Sequence, residues 1–146
     1  MTARSIPVAK PFLRDEEAKA AGEAILSGWV TQGPRVEAFE SAFAAYTTAP
    51  YAVATSSCTT AIHLALHVAG IGAGDEVICP TYSFIASANA IYHAGATPVF
   101  ADVSPLSVNM DLKHAESLVT AKTRAVLLVH QLGMQPGPAA ISSLTG

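Results

Sequence analysis

Apolar positions along the chain change period several times, and each change marks an element. Residues 15–27 open with Asp15, Glu16 and Glu17 and continue as a helical stretch. Acidic side chains in a first turn complement the helix dipole, and Gly28 suits the position just past the end. An irregular connection follows, Trp29-Val30-Thr31-Gln32-Gly33-Pro34, and Pro34 fits the first turn of a second helix. Val36, Phe39, Phe43 and Tyr46 then recur at spacings of three and four, which predicts one apolar stripe.

From Tyr51 the period shortens. Residues 51–55 read as a short strand, and 57–69 as a helix that is apolar nearly all round and therefore buried. Gly70, Gly72 and Gly74 make the turn out of it. Strands are expected over 76–79, ended by Pro80, over 97–101 and over 125–129; helices are expected over 83–93 and 111–119. The segment 133–146 carries Pro136, Pro138 and glycines and then begins what reads as another helix. A repeating β-α-β order of this kind predicts an α/β fold, a mostly parallel sheet with helices on both faces.

Composition sharpens this. The 146 residues are 51% hydrophobic and only 13% charged, which argues against disorder and suits strands buried on both faces. So apolar a chain also suits a missing partner, either another subunit or more of the same polypeptide. The net charge of −3 comes with no basic run, so no footprint for nucleic acid is present. The first twelve residues hold no apolar core of a secretory signal, and no apolar stretch approaches the ~20 residues that span a bilayer. Cys58 and Cys79 are far apart and read as reduced thiols of a cytoplasmic protein.

Three segments carry candidate chemistry. Thr55-Ser56-Ser57-Cys58-Thr59-Thr60-Ala61 lies where a strand gives way to a helix. Free amides at a helix start hold anions, so a phosphate is expected near the N–H groups of Cys58 and Thr59 and the Thr59 hydroxyl. Ordinary N-capping accounts for the same Ser and Thr residues. Pro80-Thr81-Tyr82-Ser83-Phe84 also follows a strand, and ligands of open α/β sheets collect at strand carboxyl ends. Tyr82 or Phe84 there can stack on a planar ring or simply pack in the core. Val129-His130-Gln131 ends the last strand, where a His serves as a base, packs against a ring, or is buried and hydrogen-bonded. His63 and His67 have a metal-ligand spacing without the Glu or third ligand that zinc would need. Gly70-Ile71-Gly72-Ala73-Gly74 precedes a strand instead of following one, so it is not a dinucleotide loop.

Taken in order, these segments resemble the DegT/DnrJ/EryC1/StrS aminotransferases, pyridoxal-phosphate (PLP) enzymes of fold type I. The resemblance runs through residues 27–34, 56–66, Gly74-Asp75-Glu76-Val77-Ile78, 80–84, Ala88-Asn89-Ala90, Gly95-Ala96-Thr97-Pro98-Val99-Phe100 and Val129-His130. Each piece is weak; their order and spacing are specific.

The resemblance implies roles. Cys58 and Thr59 stand where the family binds the PLP phosphate, although many relatives carry a smaller residue at the Cys58 position. Phe84 matches the aromatic that stacks on the pyridine ring. Thr31 and Gln32 lie in a segment that approaches the active site, and His130 lies near the cofactor. Residues 1–34 are expected to form the N-terminal helix and that approaching segment. Residues 35–146 are expected to be the first part of the large, PLP-binding domain, without the C-terminal small domain. The Schiff-base Lys and the Asp that pairs with the pyridine nitrogen are expected beyond Gly146. Lys10, Lys19, Lys113 and Lys122 lie outside that context. The implied activity is transfer of an amino group from an amino acid, glutamate above all, to a nucleotide-linked keto sugar by a homodimer. The 146 residues alone are expected to be inactive and poorly stable. A PLP-binding sugar dehydratase of the same family and a non-catalytic fragment are the alternatives.

Overall fold

The computed structural model describes residue 7 and residues 9–135. They form two compact units, Met1–Ala54 and Thr55–Gly146. The helix expected within 133–146 lies, from residue 136 onward, outside the described residues, as do residues 1–6 and 8 of the N-terminus.

The first unit holds two helices. Helix α1, Asp15–Leu26, starts on its three acidic residues, and the Glu17 carboxylate accepts from the Arg14 amide at 2.7 Å. Its exit runs through Gly28 at φ +73°, a conformation glycine adopts without a Cβ penalty. Helix α2, Pro34–Thr47, has Pro34 in its first turn as expected. The apolar stripe is present, and the Phe39 and Phe43 rings lie 5.9 Å apart. Its three aromatic members, Phe39, Phe43 and Tyr46, are nevertheless exposed, and neither helix has a buried residue.

The second unit is a three-layer arrangement. Helix α3, Cys58–Val68, precedes strand β1, Glu76–Pro80; then come α4, Ala86–His93, β2, Thr97–Ala101, α5, Leu112–Ser117, and β3, Thr123–Val126. All pairings are parallel, in the order β2-β1-β3, so β1 is central. Alternation along β1 divides the core. Val77 and Cys79 pack with Leu66 of α3, Ile71, Ala90 and Ile91 of α4, and Ala96. Ile78 points the other way, into Ala101, Met110 and Ala115 of α5. A side-chain period of two thus places helices on both faces, as expected.

Several boundaries differ from expectation. Residues 51–55 form no strand, because no neighbouring strand among the described residues offers them a ladder; Tyr51 and Val53 are exposed. Helix α3 has only Leu66 buried, since a helix laid on a sheet hides one side. Pro80 closes β1 from within, paired with Ala101. Helix α4 starts at Ala86 instead of Ser83, because Thr81 still donates to the Ala101 carbonyl at 2.9 Å and holds the chain extended. Asp111 caps α5 instead of joining it: its Oδ1 accepts from Lys113 and His114 at 3.0 and 3.3 Å. Strand β3 begins at Thr123 and ends at Val126, although Leu127 still donates to Ile78 at 2.8 Å.

The two thiols are placed differently. Cys58 is exposed and Cys79 is buried on β1, where burial pushes its pKa up from 9.0 to about 11. The folded state therefore favours the neutral thiol. That contribution is complete below pH 9.0 and is lost as pH rises through about 11. Iodoacetamide at pH 8 is expected to label Cys58 in the folded protein and Cys79 only after denaturation. Rapid double labelling under native conditions, read by mass spectrometry, would contradict this.

Candidate functional site

Three parallel strands release their chains at one edge, and the segments after β1 and β3 that carry Phe84 and His130 leave from it. Helix α3 packs along the sheet through Ile62 and Leu66 and turns directly into the start of β1. Its eleven residues run back about 16 Å, so its N-terminus lies toward the carboxyl edge.

That N-terminus leaves donors open. Ser57 is the N-cap at φ −162°, and its Oγ accepts from the Thr60 amide at 3.1 Å. The Ala61 amide is taken by the Ser57 carbonyl at 3.0 Å. Among the described residues, the amides of Cys58 and Thr59 have no acceptor. The Thr60 hydroxyl is occupied by Ser57 and Ser56 at 3.0 and 3.3 Å, while that of half-buried Thr59 makes no hydrogen bond among the described residues. N-capping and anion binding are therefore compatible here: Ser57 satisfies the third amide and leaves the first two to a ligand.

The loop after β1 presents its aromatics outward. Tyr82 is 61% and Phe84 77% exposed, so neither ring packs in the core. His130, after β3, is exposed as well, which removes the buried-histidine alternative. Gln131 joins the two exits, its Nε2 donating to the Tyr82 carbonyl at 2.5 Å. Asn109, a residue that sequence reasoning missed, holds the β3 exit from below; it is 4% exposed, and its Oδ1 accepts from the Gln131 amide at 3.0 Å. Its one visible signal was a polar residue between Val108 and Met110.

His63 lies with its ring 6.1 Å from that of His93. No group of three His, Cys, Asp or Glu residues among the described residues could hold a metal ion. None of the described helices is long and apolar enough to cross a membrane.

Thr31 and Gln32 belong to the first unit, in the loop between α1 and α2. Trp29 folds over that loop and donates from Nε1 to the Gln32 carbonyl at 2.8 Å. Gly33 makes the close approach possible, because a Cβ there would sit 2.2 Å from the indole nitrogen. A cleft of about 230 Å³ is lined by Ser27, Trp29, Thr31, Gly33, Pro34 and Arg35. Gly33→Ala is expected to expel the indole and red-shift the emission of this single tryptophan, with little change in the far-UV dichroism. An unshifted spectrum would mean that the indole does not pack on Gly33.

A parallel sheet flanked on both faces defines an α/β domain, with an open helix start after residue 57 and exposed aromatics after β1. The chain belongs to the DegT/DnrJ/EryC1/StrS aminotransferase family, whose model matches residues 11–144. It is 46% identical over 125 residues to the spore coat polysaccharide biosynthesis protein SpsC of Bacillus subtilis, covering 86% of this chain and 32% of that one. It is 43% identical over 129 residues to the GDP-perosamine synthase of Caulobacter vibrioides, covering 88% and 35%. The fold matches Spr1654 of Streptococcus pneumoniae in its PLP form with a TM-score of 0.88 and 33% identity, over 97% of this chain and 36% of that one. The chain thus spans about a third of the length of these relatives.

Proposed function

We propose that this chain supplies the cofactor-holding part of a PLP-dependent aminotransferase that moves an amino group from an amino acid, glutamate in this reading, to a nucleotide-linked keto sugar. The observation that carries the proposal is the pair of open amides at the start of α3, beside the Thr59 hydroxyl. A phosphate there would accept from the amides of Cys58 and Thr59 and from the hydroxyl, at the positive end of the helix. Phe84, exposed at the end of β1, fits a wall for a planar ring. His130, at the β3 exit, and Thr31 and Gln32, in the loop that Trp29 holds, enter this reading as substrate or active-site residues on the family resemblance. The residues present therefore fit PLP, which when bound supplies an electron sink for chemistry at an amino-bearing carbon.

The names of the relatives support the sugar acceptor: one is a GDP-perosamine synthase, another a spore coat polysaccharide biosynthesis protein. In this reading residues 1–34 are the N-terminal helix and active-site segment of the family, and residues 35–146 the first part of the cofactor domain. The reading includes a homodimer working in the cytoplasm. It is tested on the protein as its gene encodes it. With PLP and glutamate, 2-oxoglutarate is expected in amounts matching the cofactor, followed by catalytic turnover when a keto sugar nucleotide is added. PLP binding without any 2-oxoglutarate would remove the aminotransferase reading.

A further inference from the structure

The carboxyl edge of the sheet is tied together by two side-chain amides. Asn109 sits in the connection between β2 and α5, nearly inaccessible at 4% exposure. Both ends of its amide are used on the segment after β3: Oδ1 accepts from the Gln131 N–H at 3.0 Å, and Nδ2 donates to the Met134 carbonyl at 3.1 Å. Gln131 then extends its own side chain to the Tyr82 carbonyl, two residues before Phe84. One chain of hydrogen bonds thus runs from the β2 exit through the β3 exit to the β1 exit.

The backbone beside both nodes is strained. Val108 has φ +51° and Leu132 φ +54°, and neither is glycine. A β-branched residue in the left-handed region is an outlier, and such conformations persist only where the surroundings enforce them. The enforcing contacts are visible. Val108 donates to the Ser104 carbonyl and Ser104 to the Asn109 carbonyl, both at 2.8 Å, which turns the Asn109 side chain inward. The Leu132 turn lies between the Gln131 amide and the Met134 carbonyl that Asn109 binds.

We propose that Asn109 and Gln131 form a clasp that fixes the loop carrying Tyr82 and Phe84 against the β3 exit carrying His130. They are positioning residues for the aromatic wall of the site. The inference rests on the reading of Phe84 as a ring-stacking residue, and its test separates the two. Gln131→Met keeps the length of the side chain and removes the donor to Tyr82. Asn109→Asp keeps the acceptor for Gln131 and turns the donor to Met134 into an acceptor facing an acceptor.

Hydrogen exchange read by mass spectrometry on the protein as its gene encodes it tests the clasp directly. Each variant is expected to speed exchange over residues 81–89, where the amides of Thr81, Ser87 and Asn89 are hydrogen-bonded, roughly fivefold, the effect of one lost hydrogen bond, while the amides of β1 keep their protection. Unchanged exchange at 81–89 in both variants would overturn the clasp. So would equal acceleration in β1, because the pair would then only stabilise the fold. The second arm titrates the same proteins with a phosphorylated pyridine lacking the aldehyde, and with inorganic phosphate as a control. Weaker binding of the ring compound at unchanged phosphate affinity supports both the clasp and the stacking role. Faster exchange with unchanged binding of the ring compound supports the clasp and removes Phe84 from the cofactor wall.

Discussion

Cys58→Pro is expected to leave the fold intact and to weaken PLP binding by roughly tenfold to a hundredfold. Cys58 is the first residue of α3, the one helical position where proline is at home, because its missing N–H has no partner within the helix. The preceding Ser57 is already extended, at φ −162° and ψ 160°, which is the conformation a following proline demands. The capping bond from the Thr60 amide to Ser57 Oγ is untouched. The substitution therefore deletes one donor and little else. A hydrogen bond to a charged acceptor contributes ~1.5–3 kcal/mol, and the predicted loss follows from that figure. Cys58→Ala retains the amide and should bind like the parent, which separates the role of the backbone from that of the thiol. Calorimetric titration with PLP, alongside thermal melting, measures both. If the proline variant melts and binds like the parent, the start of α3 is not the phosphate site.

What could be read from the sequence was whatever is decided locally. Strand β2 falls on the expected residues 97–101, and α1 and α2 begin where acidic residues and Pro34 signalled. Caps and prolines act over a single turn, so one sequence shows them. The Ser57 cap was legible for the same reason. Segment 51–55 was misread because a strand is a relation between two chain segments, and its composition carries no information about a partner. The start of α4 was misread because the ladder bond from Thr81 to Ala101 outlasts Pro80. The exposure of Phe84 and His130 could not be deduced either, since apolar character alone does not say which face of a loop meets water. The role of Asn109 could not be read from its one signal, a polar residue between apolar neighbours, because its two partners, Gln131 and Met134, lie more than twenty residues away. The candidate site was thus legible as a set of strand ends and a helix start, while the bonds that join them were not.

Ile78→Ala is expected to give the largest loss of stability of any single truncation in the sheet. Ile78 is fully buried at the middle of the central strand, paired on one side with Val99 and on the other with Val126. Its side chain fills the layer beneath α5, against Ala101, Met110 and Ala115. Met110 and the partly buried Val99, Leu112, Leu118, Val126 and Leu128 line the same layer, but Ala101 and Ala115 have only a methyl to offer, so the space closes in part. Truncations of this kind cost ~2–5 kcal/mol, the upper part applying where the site cannot collapse. Against a typical total of ~5–15 kcal/mol, that is a large share, and the melting temperature should fall by roughly 10 °C. Phe100→Ala removes a larger side chain on edge strand β2, but Phe100 is half exposed and should cost well under half as much. Equal losses in the two variants would mean that burial on β1 does not dominate the sheet. The same cavity bears on the site. β1 delivers the loop of Tyr82 and Phe84, and Ile78 accepts the Leu127 amide that leads the β3 exit toward His130. Loosening this layer should therefore weaken PLP binding in the Ile78 variant even at temperatures where it remains folded, and leave binding by the Phe100 variant close to that of the parent.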